Sequence, residues 1–433
     1  MILFNKFELI RAFAQVLDLV NLTLAAHHQR TAFIADQLCR RLSLKQPDHQ
    51  RTVLAASLHD VGIVPLGSKV DDLLFEHDLD RHSQAGWMLL NTCPLLKEEA
   101  SLIRYHHYHW PKITRLPAAE RRAGQLANII QAADQMDIAS RTGLRAENLA
   151  AELAGQSGKV FAPAIVEAAR DFLARPEALE SLTPRSRELT LAGGADLELT
   201  MEDLTTFARL FAQLIDSRSR FTATHSTAVA HLGSLLYFLS NSDDCESESM
   251  FLAGLLHDVG KLGVPQPLIE KAGPLTDLEM SRVREHALIG YQALSNLPGF
   301  ERVALWGGLH HERMNGTGYP FGLFGHRIPV ESRFVAVADV LTALTEDRPY
   351  RPGLDDEEAM KIMFRMVKAG ELDGDVVALV NRRLKEFSAL RRRVQYQASE
   401  FAGHLTRKIK LEAGLYPPAV WTRVSKSSET IYT

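Results

Sequence analysis

The sequence has little cysteine. Its three cysteines, Cys39, Cys93 and Cys245, lie far apart, and none belongs to a C-x-x-C pair. An odd number at this spacing is typical of neither a disulfide framework nor a zinc ribbon. We therefore expect free thiols.

Long apolar runs are missing as well. No stretch reaches the roughly 18 apolar residues that a helix needs to span a bilayer. Asn5, Lys6, Glu8 and Arg11 interrupt the N-terminal region where a signal peptide would be apolar. The sequence therefore predicts a cytoplasmic protein with no transmembrane segment.

A basic excess is also missing. The chain has 49 Lys and Arg against 53 Asp and Glu, which gives a net charge of -4. A protein that binds long nucleic acid shows a strong positive excess, so this class is disfavoured. A small phosphate ligand held by a few local arginines stays compatible with the balance. The 433 residues are enough for two or three domains.

Alternating apolar and polar residues, which mark half-buried strands, are scarce. Apolar residues recur instead at three- and four-residue spacing, as at Ile10, Phe13 and Leu17, which is typical of amphipathic helices. Glycines and prolines break residues 142–199 into short pieces, which indicates a partly helical connector. Helical patterning resumes after Thr200, a typical N-cap residue. We predict an all-α fold.

Histidine is the residue that the chain has in unusual number, with 17 copies, and many of them belong to an internal repeat. The first four matches lie 198 residues apart, and after a change of six residues the later matches lie 204 or 205 apart. The repeat predicts two similar helical domains. His28 is the alternative to His27 in this comparison. The matched residues are Phe13 with Phe211, Asp18 with Asp216, His27 with His225, His59-Asp60-Val61-Gly62 with His257-Asp258-Val259-Gly260, His82 with His286, His106-His107 with His310-His311, and Asp134 with Asp339.

The second block places an ionisable pair, His257 and Asp258, on a segment whose apolar residues Leu252, Leu255 and Leu256 mark a buried helical face. A buried pair of this kind needs a partner. Neighbouring helical residues point in different directions, so we expect the two side chains to reach different atoms, as when a carboxylate bridges two ions and the imidazole binds one. The block offers five imidazoles and two carboxylates, which suffice for two metal ions with open positions. These candidate ligands are His225, His257, Asp258, His286, His310, His311 and Asp339.

The order of these motifs resembles the HD-GYP family, whose members are HD-superfamily phosphodiesterases that hydrolyse cyclic dinucleotides. The resemblance implies tandem helical HD bundles and, in the second block, a di-iron centre, with manganese as the alternative metal. It lies within residues 220 to 355. It is carried by Leu256-His257-Asp258-Val259-Gly260-Lys261, His286, His310-His311-Glu312-Arg313, Asn315-Gly316, Gly318-Tyr319-Pro320, Asp339 and Arg348-Pro349-Tyr350-Arg351.

The same resemblance implies a role for each site residue. A hydroxide bridging the two ions would attack the phosphorus, with Asp258 and Lys261 as the catalytic residues. One ion would be held by His225, His257, Asp258 and Asp339, and the other by Asp258, His286, His310 and His311. The substrate would be contacted by Gly318, Tyr319, Pro320, Arg348 and Arg351. By their residue types alone, Lys261 and the two arginines would be solvated charges, and Tyr319 either stacks on a purine or packs its loop against the core.

Two departures from the family pattern lead to further expectations. Members with a third metal carry a Glu where this chain has Phe221, so we expect two metals in this domain. The family's second Asp, three residues after the ligand Asp, is replaced by Thr342. The threonine removes a charge, although its hydroxyl can still hydrogen-bond a ligand or Lys261.

The first block keeps the ligand types but not the parts that would bind a substrate. Ile63 stands in place of the lysine, and no glycine-rich loop follows the histidine pair. We predict a divergent HD domain at residues 1–141 with a regulatory or structural role, a connector at 142–199, and the catalytic domain with a C-terminal helical extension at 200–433. A second active site of different specificity is the alternative. The retained set, for which metal binding stays open, is His27, His59, Asp60, His82, His106, His107 and Asp134.

The function predicted first is hydrolysis of cyclic di-GMP to linear pGpG, with continuation to GMP as an option. The alternatives are a phosphodiesterase for 3'3'-cyclic GMP-AMP, a di-iron oxygenase of the HD fold, and an inactive ligand sensor. The expected partner is the cyclic dinucleotide, and a homodimer is the candidate assembly. The tail carries a basic run from Arg382 to Arg393, which indicates an amphipathic helix with a solvated basic face.

Overall fold

A computed structural model describes residues 6–18, 26–66, 79–175, 199–218, 224–240, 246–271, 273–347 and 352–412, without the side chains at 405, 406 and 409–412. Several residues discussed above lie outside this part of the chain, namely Cys245, Phe221, Arg348 and Arg351. Cys39 and Cys93 are buried free thiols, as expected.

All regular structure in the described residues is helical, which confirms the all-α prediction. The helices of the first half are α1 (Lys6–Leu17), α2 (His27–Arg41), α3 (Asp48–Ala56), α4 (Ile63–Leu66), α5 (Leu79–Leu90), α6 (Lys97–Ile103), α7 (Trp110–Thr114), α8 (Ala118–Arg141), α9 (Ala146–Gly155) and α10 (Pro163–Leu173). A short 3-10 helix lies at Pro94–Leu96.

The second half repeats this arrangement and adds helices at its C-terminal end. Its helices are α11 (Met201–Ser217), α12 (His225–Ser240), α13 (Ser247–Leu256), α14 (Gln266–Ile269), α15 (Asp277–Ser295), α16 (Glu301–Gly308), α17 (Val330–Thr345), α18 (Asp356–Lys368), α19 (Gly374–Arg382) and α20 (Leu384–Glu412). Two 3-10 helices lie at Val259–Gly263 and Gly325–Arg327.

Helix α11 begins where its capping residue predicts. The Thr200 hydroxyl accepts a hydrogen bond from the backbone N–H of Asp203 at 3.1 Å, and the Asp203 carboxylate accepts one from the Thr200 N–H at 3.0 Å. This reciprocal pair is a capping box, which satisfies donors that the first helical turn cannot.

Each half forms a bundle around the helix that carries the first repeated histidine. In the first bundle α2 packs against α3 and α8, and in the second α12 packs against α13 and α17. The connector is partly helical, and its helix α10 lies against α2, where Arg41 and Asp171 form an ion pair of 2.8 Å. The part of the connector up to residue 175 therefore packs as an outer layer of the first bundle.

The first helix of each bundle also packs on the other bundle. Helix α1 contacts α15 and the 3-10 helix Val259–Gly263, while α11 contacts α4 and the 3-10 helix Pro94–Leu96. The repeat-related rings of Phe13 and Phe211 meet here, with centroids 3.9 Å apart, and Phe207 lies 4.8 Å from Phe13. These rings are buried, so the two bundles share one apolar seam.

The C-terminal helix α20 spans both bundles, since it contacts α12 and α5. The basic run is divided by the end of α19 at Arg382, and Phe387 of α20 is fully buried. Arg391 and Arg392 bind the two oxygens of Asp356 at 2.9 and 2.6 Å. Part of the predicted basic face is therefore used in ion pairs within the protein. Of the described helices, none combines the length and apolar character that a bilayer crossing requires.

Candidate metal centre

The His257-Asp258 pair lies just after a helix rather than inside one. Helix α13 ends at Leu256, and the pair forms a turn before the 3-10 helix Val259–Gly263. The apolar residues before it are buried, as expected. Because the chain leaves the helix here, the two side chains converge, with His257 Nε2 and Asp258 Oδ2 3.3 Å apart. The pair therefore lies in a turn where the apolar pattern indicated a helical face.

The structure brings all seven candidate ligands together. One group consists of His225, His257 and Asp339, and His225 Nε2 lies 3.1 Å from Asp339 Oδ1. A second group consists of His286, His310 and His311. Within each group the possible ligand atoms all lie within 4.8 Å of one another.

Asp258 lies between the two groups. Its Oδ2 faces His257, while its Oδ1 lies 3.4 Å from His286 Nε2 and 3.9 Å from His310 Nε2. One carboxylate oxygen is thus directed to each group. This is the arrangement in which a carboxylate bridges two ions.

Backbone carbonyls fix the orientation of three of the imidazoles. Nδ1 of His257, His286 and His310 lies 2.7, 2.6 and 2.6 Å from the carbonyl oxygens of Gly254, Val283 and Gly307. A carbonyl only accepts, so each Nδ1 carries the proton and donates it. Each Nε2 is then a lone pair that points into the cluster, as a metal ligand requires.

Burial keeps the rings of His286 and His310 neutral and their lone pairs available. Loss of hydration lowers the pKa of His286 to about 4 and that of His310 to about 3. Nε2 of His257, His286 and His310 and Oδ1 of Asp258 are buried without a hydrogen-bond partner in the protein. Unsatisfied acceptors in a protein interior are costly, and a divalent cation is the partner that fits this donor set.

Glu346 is a functional residue that the sequence reasoning missed. Its Oε2 lies 2.9 Å from His225 Nδ1, and its Oε1 accepts a hydrogen bond from Gln395 at 2.8 Å. Burial alone would lower the pKa of His225, but the carboxylates of Glu346 and Asp339 raise it to about 10. The Thr342 hydroxyl donates to the Ala338 carbonyl at 2.8 Å, so it bonds within its own helix rather than to Lys261.

The first bundle explains why Glu346 stands where it does. There Asp137, three residues after Asp134, holds His27 Nδ1 at 2.7 Å. Thr342 occupies the matching place in the second bundle, and Glu346 follows it four residues later on the same face of the chain. Helical spacing from Thr342 is therefore the signal that would have found Glu346.

Lys261 lies on the 3-10 helix and forms an ion pair with Asp258 Oδ2. Burial would raise the pKa of Asp258, but the Lys261 ammonium and the His257 ring hold it well below its usual range. The buried Arg218 donates from Nη1 to the carbonyl oxygens of Lys261 and Leu262 at 2.8 and 2.5 Å. Arg218, which the sequence reasoning also missed, thus fixes the turn that presents Lys261.

Close backbone contact fixes the same turn against α15. A Cβ on Gly260 would lie 2.0 Å from the His286 carbonyl oxygen. The repeat-related Gly62 has the same relation to the His82 carbonyl, also at 2.0 Å. Only glycine allows the HD turn to approach the helix that carries the next histidine.

The glycine-rich loop is held in place by Glu312. This buried carboxylate accepts from the backbone N–H groups of Phe321 and Leu323 at 2.7 and 2.8 Å. A Cβ on Gly318 would lie 2.3 Å from the Arg313 nitrogen, so the loop packs tightly on the chain that follows the histidine pair. Glu312 is a further residue whose role the sequence reasoning did not assign.

Tyr319 lies against the cluster of candidate metal ligands. Its ring is 4.6 Å from the His311 ring at an interplanar angle of 32°, and the guanidinium carbon of Arg284 lies 5.3 Å from its centroid. Tyr319 is half-buried and therefore packs the loop against the site while keeping part of its ring accessible.

The fold and this cluster together define an HD-domain protein, and comparison with known families agrees. Residues 24–139 and residues 209–376 each match an HD domain family. The chain therefore carries two HD domains, one in each bundle.

Its relatives include phosphodiesterases of cyclic dinucleotides, which confirms the resemblance to the HD-GYP family. The chain is 29% identical over 394 residues to 3'3'-cGAMP-specific phosphodiesterase 1 of Vibrio cholerae, a match that covers 87% of this chain and 91% of that protein. A cyclic di-GMP phosphodiesterase of Pseudomonas aeruginosa is 40% identical over 150 residues, 34% of this chain and 36% of the relative.

A solved structure shares the fold over almost its whole length. It is the crystal structure of a cyclic GMP-AMP-specific phosphodiesterase of Vibrio cholerae, with a TM-score of 0.59 and 22% sequence identity. The match covers 88% of this chain and 98% of that one. At this level of identity the likeness establishes the fold.

Proposed function

We propose that this protein is a metal-dependent phosphodiesterase that opens a cyclic dinucleotide, and that the second HD domain performs the reaction. The observation that carries the proposal is the convergence of six ligand-type side chains around Asp258, directly beside the loop that contains Tyr319. Its relatives with named substrates act on cyclic di-GMP and 3'3'-cGAMP, as their names state.

The residues of the site divide the chemical work. When bound, a pair of divalent ions supplies an activated water and positive charge for the phosphate oxygens. His225, His257 and Asp339 would hold one ion, and His286 with the histidine pair after α16 would hold the other. Asp258 has one carboxylate oxygen near each group and would contribute to holding both ions.

Lys261 places an ammonium group beside Asp258. In our proposal this positive charge lies near the reacting phosphate, where it stabilises the negative charge that builds in the transition state. Arg218 supports the position of the turn through its hydrogen bonds to the carbonyl oxygens of Lys261 and Leu262.

Substrate recognition falls to the loop and the charges around it. The accessible part of the Tyr319 ring can stack on a base, an interaction worth about 1–3 kcal/mol in single-strand binders. Arg284, which contacts the same ring, adds a positive charge at the mouth of the site. Gly318 and Pro320 shape the loop. By the family resemblance we also propose that Arg348 and Arg351, which lie outside the described residues, contact the phosphates of the substrate.

The substrate is one of two closely related cyclic dinucleotides. The relative matched along most of its length is named as cGAMP-specific, whereas the cyclic di-GMP phosphodiesterase is matched at higher identity over a shorter region. The two molecules differ in a single base, so the same site can serve for either. We propose cyclic di-GMP as the first substrate and 3'3'-cGAMP as the second.

The test uses the full chain loaded with Fe²⁺ under anaerobic conditions, or with Mn²⁺, because the metal we propose is iron. Each cyclic dinucleotide is incubated separately, and the products are resolved by chromatography. Linear dinucleotide from at least one substrate is the expected result. Asp258→Asn should abolish it, whereas Asp60→Asn in the first domain should leave hydrolysis measurable.

Two outcomes would overturn the proposal. Turnover of neither substrate by metal-loaded protein would point to an inactive sensor, or to an oxygenase if dioxygen is consumed. Equal loss of hydrolysis in Asp60→Asn and Asp258→Asn would contradict the placement of the reaction in the second domain.

A further inference from the structure

The first HD domain contains a second cluster of ligand-type side chains with the same geometry. His27 Nε2 lies 3.3 Å from His59 Nε2 and 3.4 Å from Asp134 Oδ1. In a second group, His82 Nε2 lies 3.2 Å from His106 Nε2 and 2.9 Å from His107 Nε2. These N···N distances allow a hydrogen bond when one ring nitrogen carries a proton, and ligands that share one metal ion lie about 3 Å apart as well.

Asp60 lies between the two groups as Asp258 does in the second domain. Its Oδ2 is 3.6 Å from His27 Nε2 and 3.3 Å from His59 Nε2, while its Oδ1 is 3.3 Å from His82 Nε2. One oxygen is again directed to each group. Asp60 can therefore pair with protonated imidazoles or serve as a ligand to both groups, and a count of bound metal ions distinguishes the two roles.

Hydrogen bonds at Nδ1 fix the orientation of three of the histidine rings. Nδ1 of His59 and His106 donates to the carbonyl oxygens of Ala56 and Ile103 at 2.9 and 2.7 Å, so Nε2 of each neutral ring is a lone pair. Nδ1 of His27 is held by a carboxylate in the same way, through Asp137.

In the group of His82, His106 and His107 the Nε2 atoms therefore converge in a place that water reaches poorly. In the other group the Nε2 atoms of His27 and His59 converge beside the carboxylates of Asp60 and Asp134. His59 and His106 are completely buried. Converging acceptors repel one another and lose their hydration, and a cation at their centre removes both costs.

We propose that the first HD domain binds its own pair of divalent transition-metal ions, so that the chain holds two dinuclear centres. One group has three imidazoles, and the other has two imidazoles with Asp60, while Asp134 Oδ1 lies 3.4 Å from His27 and 3.7 Å from His59. This imidazole-rich donor set suits iron, manganese or zinc. The donor Nε2 atoms are already oriented, so binding needs little rearrangement.

This centre differs from the second one in its surroundings. Ile63 stands where the second domain has Lys261, so no lysine follows Asp60 in this turn. After His107 the chain forms the short helix α7, where Tyr108 lies under the Lys112 ammonium at 3.4 Å from the ring centroid, in place of a glycine-rich loop. The first centre thus lacks the counterparts of the residues proposed to act on the dinucleotide.

The test counts metal ions on the purified full chain by mass spectrometry after reconstitution and removal of free metal. Wild type is expected to hold about four ions per chain, twice the content of one dinuclear site. Asp60→Asn and Asp258→Asn should each lose about two, and the double variant should lose nearly all. The matched control is His49→Gln, since His49 binds Asp36 at 2.9 Å away from the cluster and its loss should leave the count unchanged.

Calorimetric titration of metal-free wild type with Mn²⁺ does not depend on how the variants fold, and it should show about four sites. In folded Asp258→Asn, electron paramagnetic resonance should still show coupled manganese pairs from the first domain. A wild-type count of two that Asp60→Asn leaves unchanged would overturn the proposal. Because the readout is metal content, this result is independent of whether the second domain hydrolyses a cyclic dinucleotide.

Discussion

Glu346 illustrates how the second domain keeps a function whose usual residue is gone. The first domain orients His27 with Asp137, and the second orients His225 with a carboxylate four residues beyond the matching position. The longer glutamate side chain covers the extra helical turn, so the imidazole donates the same hydrogen bond to a carboxylate. Residues that hold a metal ligand in this way commonly affect metal affinity.

Replacing Glu346 should therefore weaken metal binding. In Glu346→Gln the amide keeps one acceptor for the His225 Nδ1–H but loses the charge that favours a well-oriented ligand. We expect metal affinity to fall by about 10- to 100-fold at one of the two positions of the second domain. Metal titration of the purified variant checks this. Glu386→Gln, an exposed residue paired with Arg383, is the control, and equal affinities in both variants would contradict the role.

Glu312 allows the loop to be tested separately from the metal. Glu312→Gln should disturb the loop, because an amide offers one acceptor oxygen where the carboxylate accepts from two N–H groups. Leaving a buried donor unsatisfied costs about 1–3 kcal/mol. The same energy lost from transition-state binding lowers kcat/KM by about 5- to 150-fold, and we expect a fall within this range.

The measurement for Glu312→Gln is steady-state kinetics together with metal content. The metal content should stay at the wild-type level, since Glu312 contacts the loop and not the candidate ligands. Glu357→Gln on α18, an exposed residue, is the matched control. Loss of metal in Glu312→Gln would mean that the residue supports the histidine pair instead of the substrate loop.

At the scale of elements, the contact between the HD turn and α15 sets the position of the ligands. Gly260→Ala would place a methyl group on the His286 carbonyl, so either the turn or α15 must shift. Overpacking of this kind costs about 1–3 kcal/mol. We expect a lower thermal midpoint and a reduced metal content in the second domain. Gly273→Ala is the control, because its Cβ would meet nothing within 4 Å, and similar losses in both variants would sink this explanation.

Helices α1 and α11 each pack on the other bundle, and their aromatic rings meet at the seam. Phe13→Ala removes a buried ring from the seam between the bundles, and we expect the free energy of unfolding to fall by about 3–5 kcal/mol. Denaturant unfolding measures this loss. Phe238→Ala is the control, since Phe238 is 63% exposed.

A double-mutant cycle with Phe211→Ala then tests the pairing itself. The rings stack at 3.9 Å, so the double variant should lose less than the sum of the single losses. Additive losses would contradict a direct contact between the repeat-related rings.

For the whole molecule, the sequence predicted the repeat, the helical fold and the residues that converge on Asp258. These features follow from spacing along the chain, because the ligands lie in short motifs, such as His257-Asp258 and His310-His311, that recur at a nearly fixed offset. The turn that interrupts the helix at His257 could not be read in this way, since the apolar pattern continues through it. One sequence gives no signal for contacts between distant segments. The roles of Arg218 and Glu312, and the packing of α1 and α11 on the other bundle, depend on such contacts.

Three helices contact both bundles, and these contacts affect how the whole chain unfolds. Helix α1 packs on the second bundle, α11 on the first, and α20 on both, so opening either bundle exposes apolar surface of the other. The two HD domains should therefore unfold in one cooperative transition despite their separate cores. Differential scanning calorimetry checks this, and two resolved transitions would contradict it.

Removing metal should lower that single transition. A ligand that binds only the folded state stabilises it by about 2.7 kcal/mol when its concentration is 100 times its dissociation constant. Chelation should therefore shift the thermal midpoint of wild type downward. Asp258→Asn should keep a smaller chelator-dependent shift, because the first centre still binds metal, and the double variant with Asp60→Asn should show none. A wild-type midpoint that chelation leaves unchanged would mean that neither cluster holds an ion that stabilises the fold, and that the converging histidines of both domains are satisfied by protons and water instead.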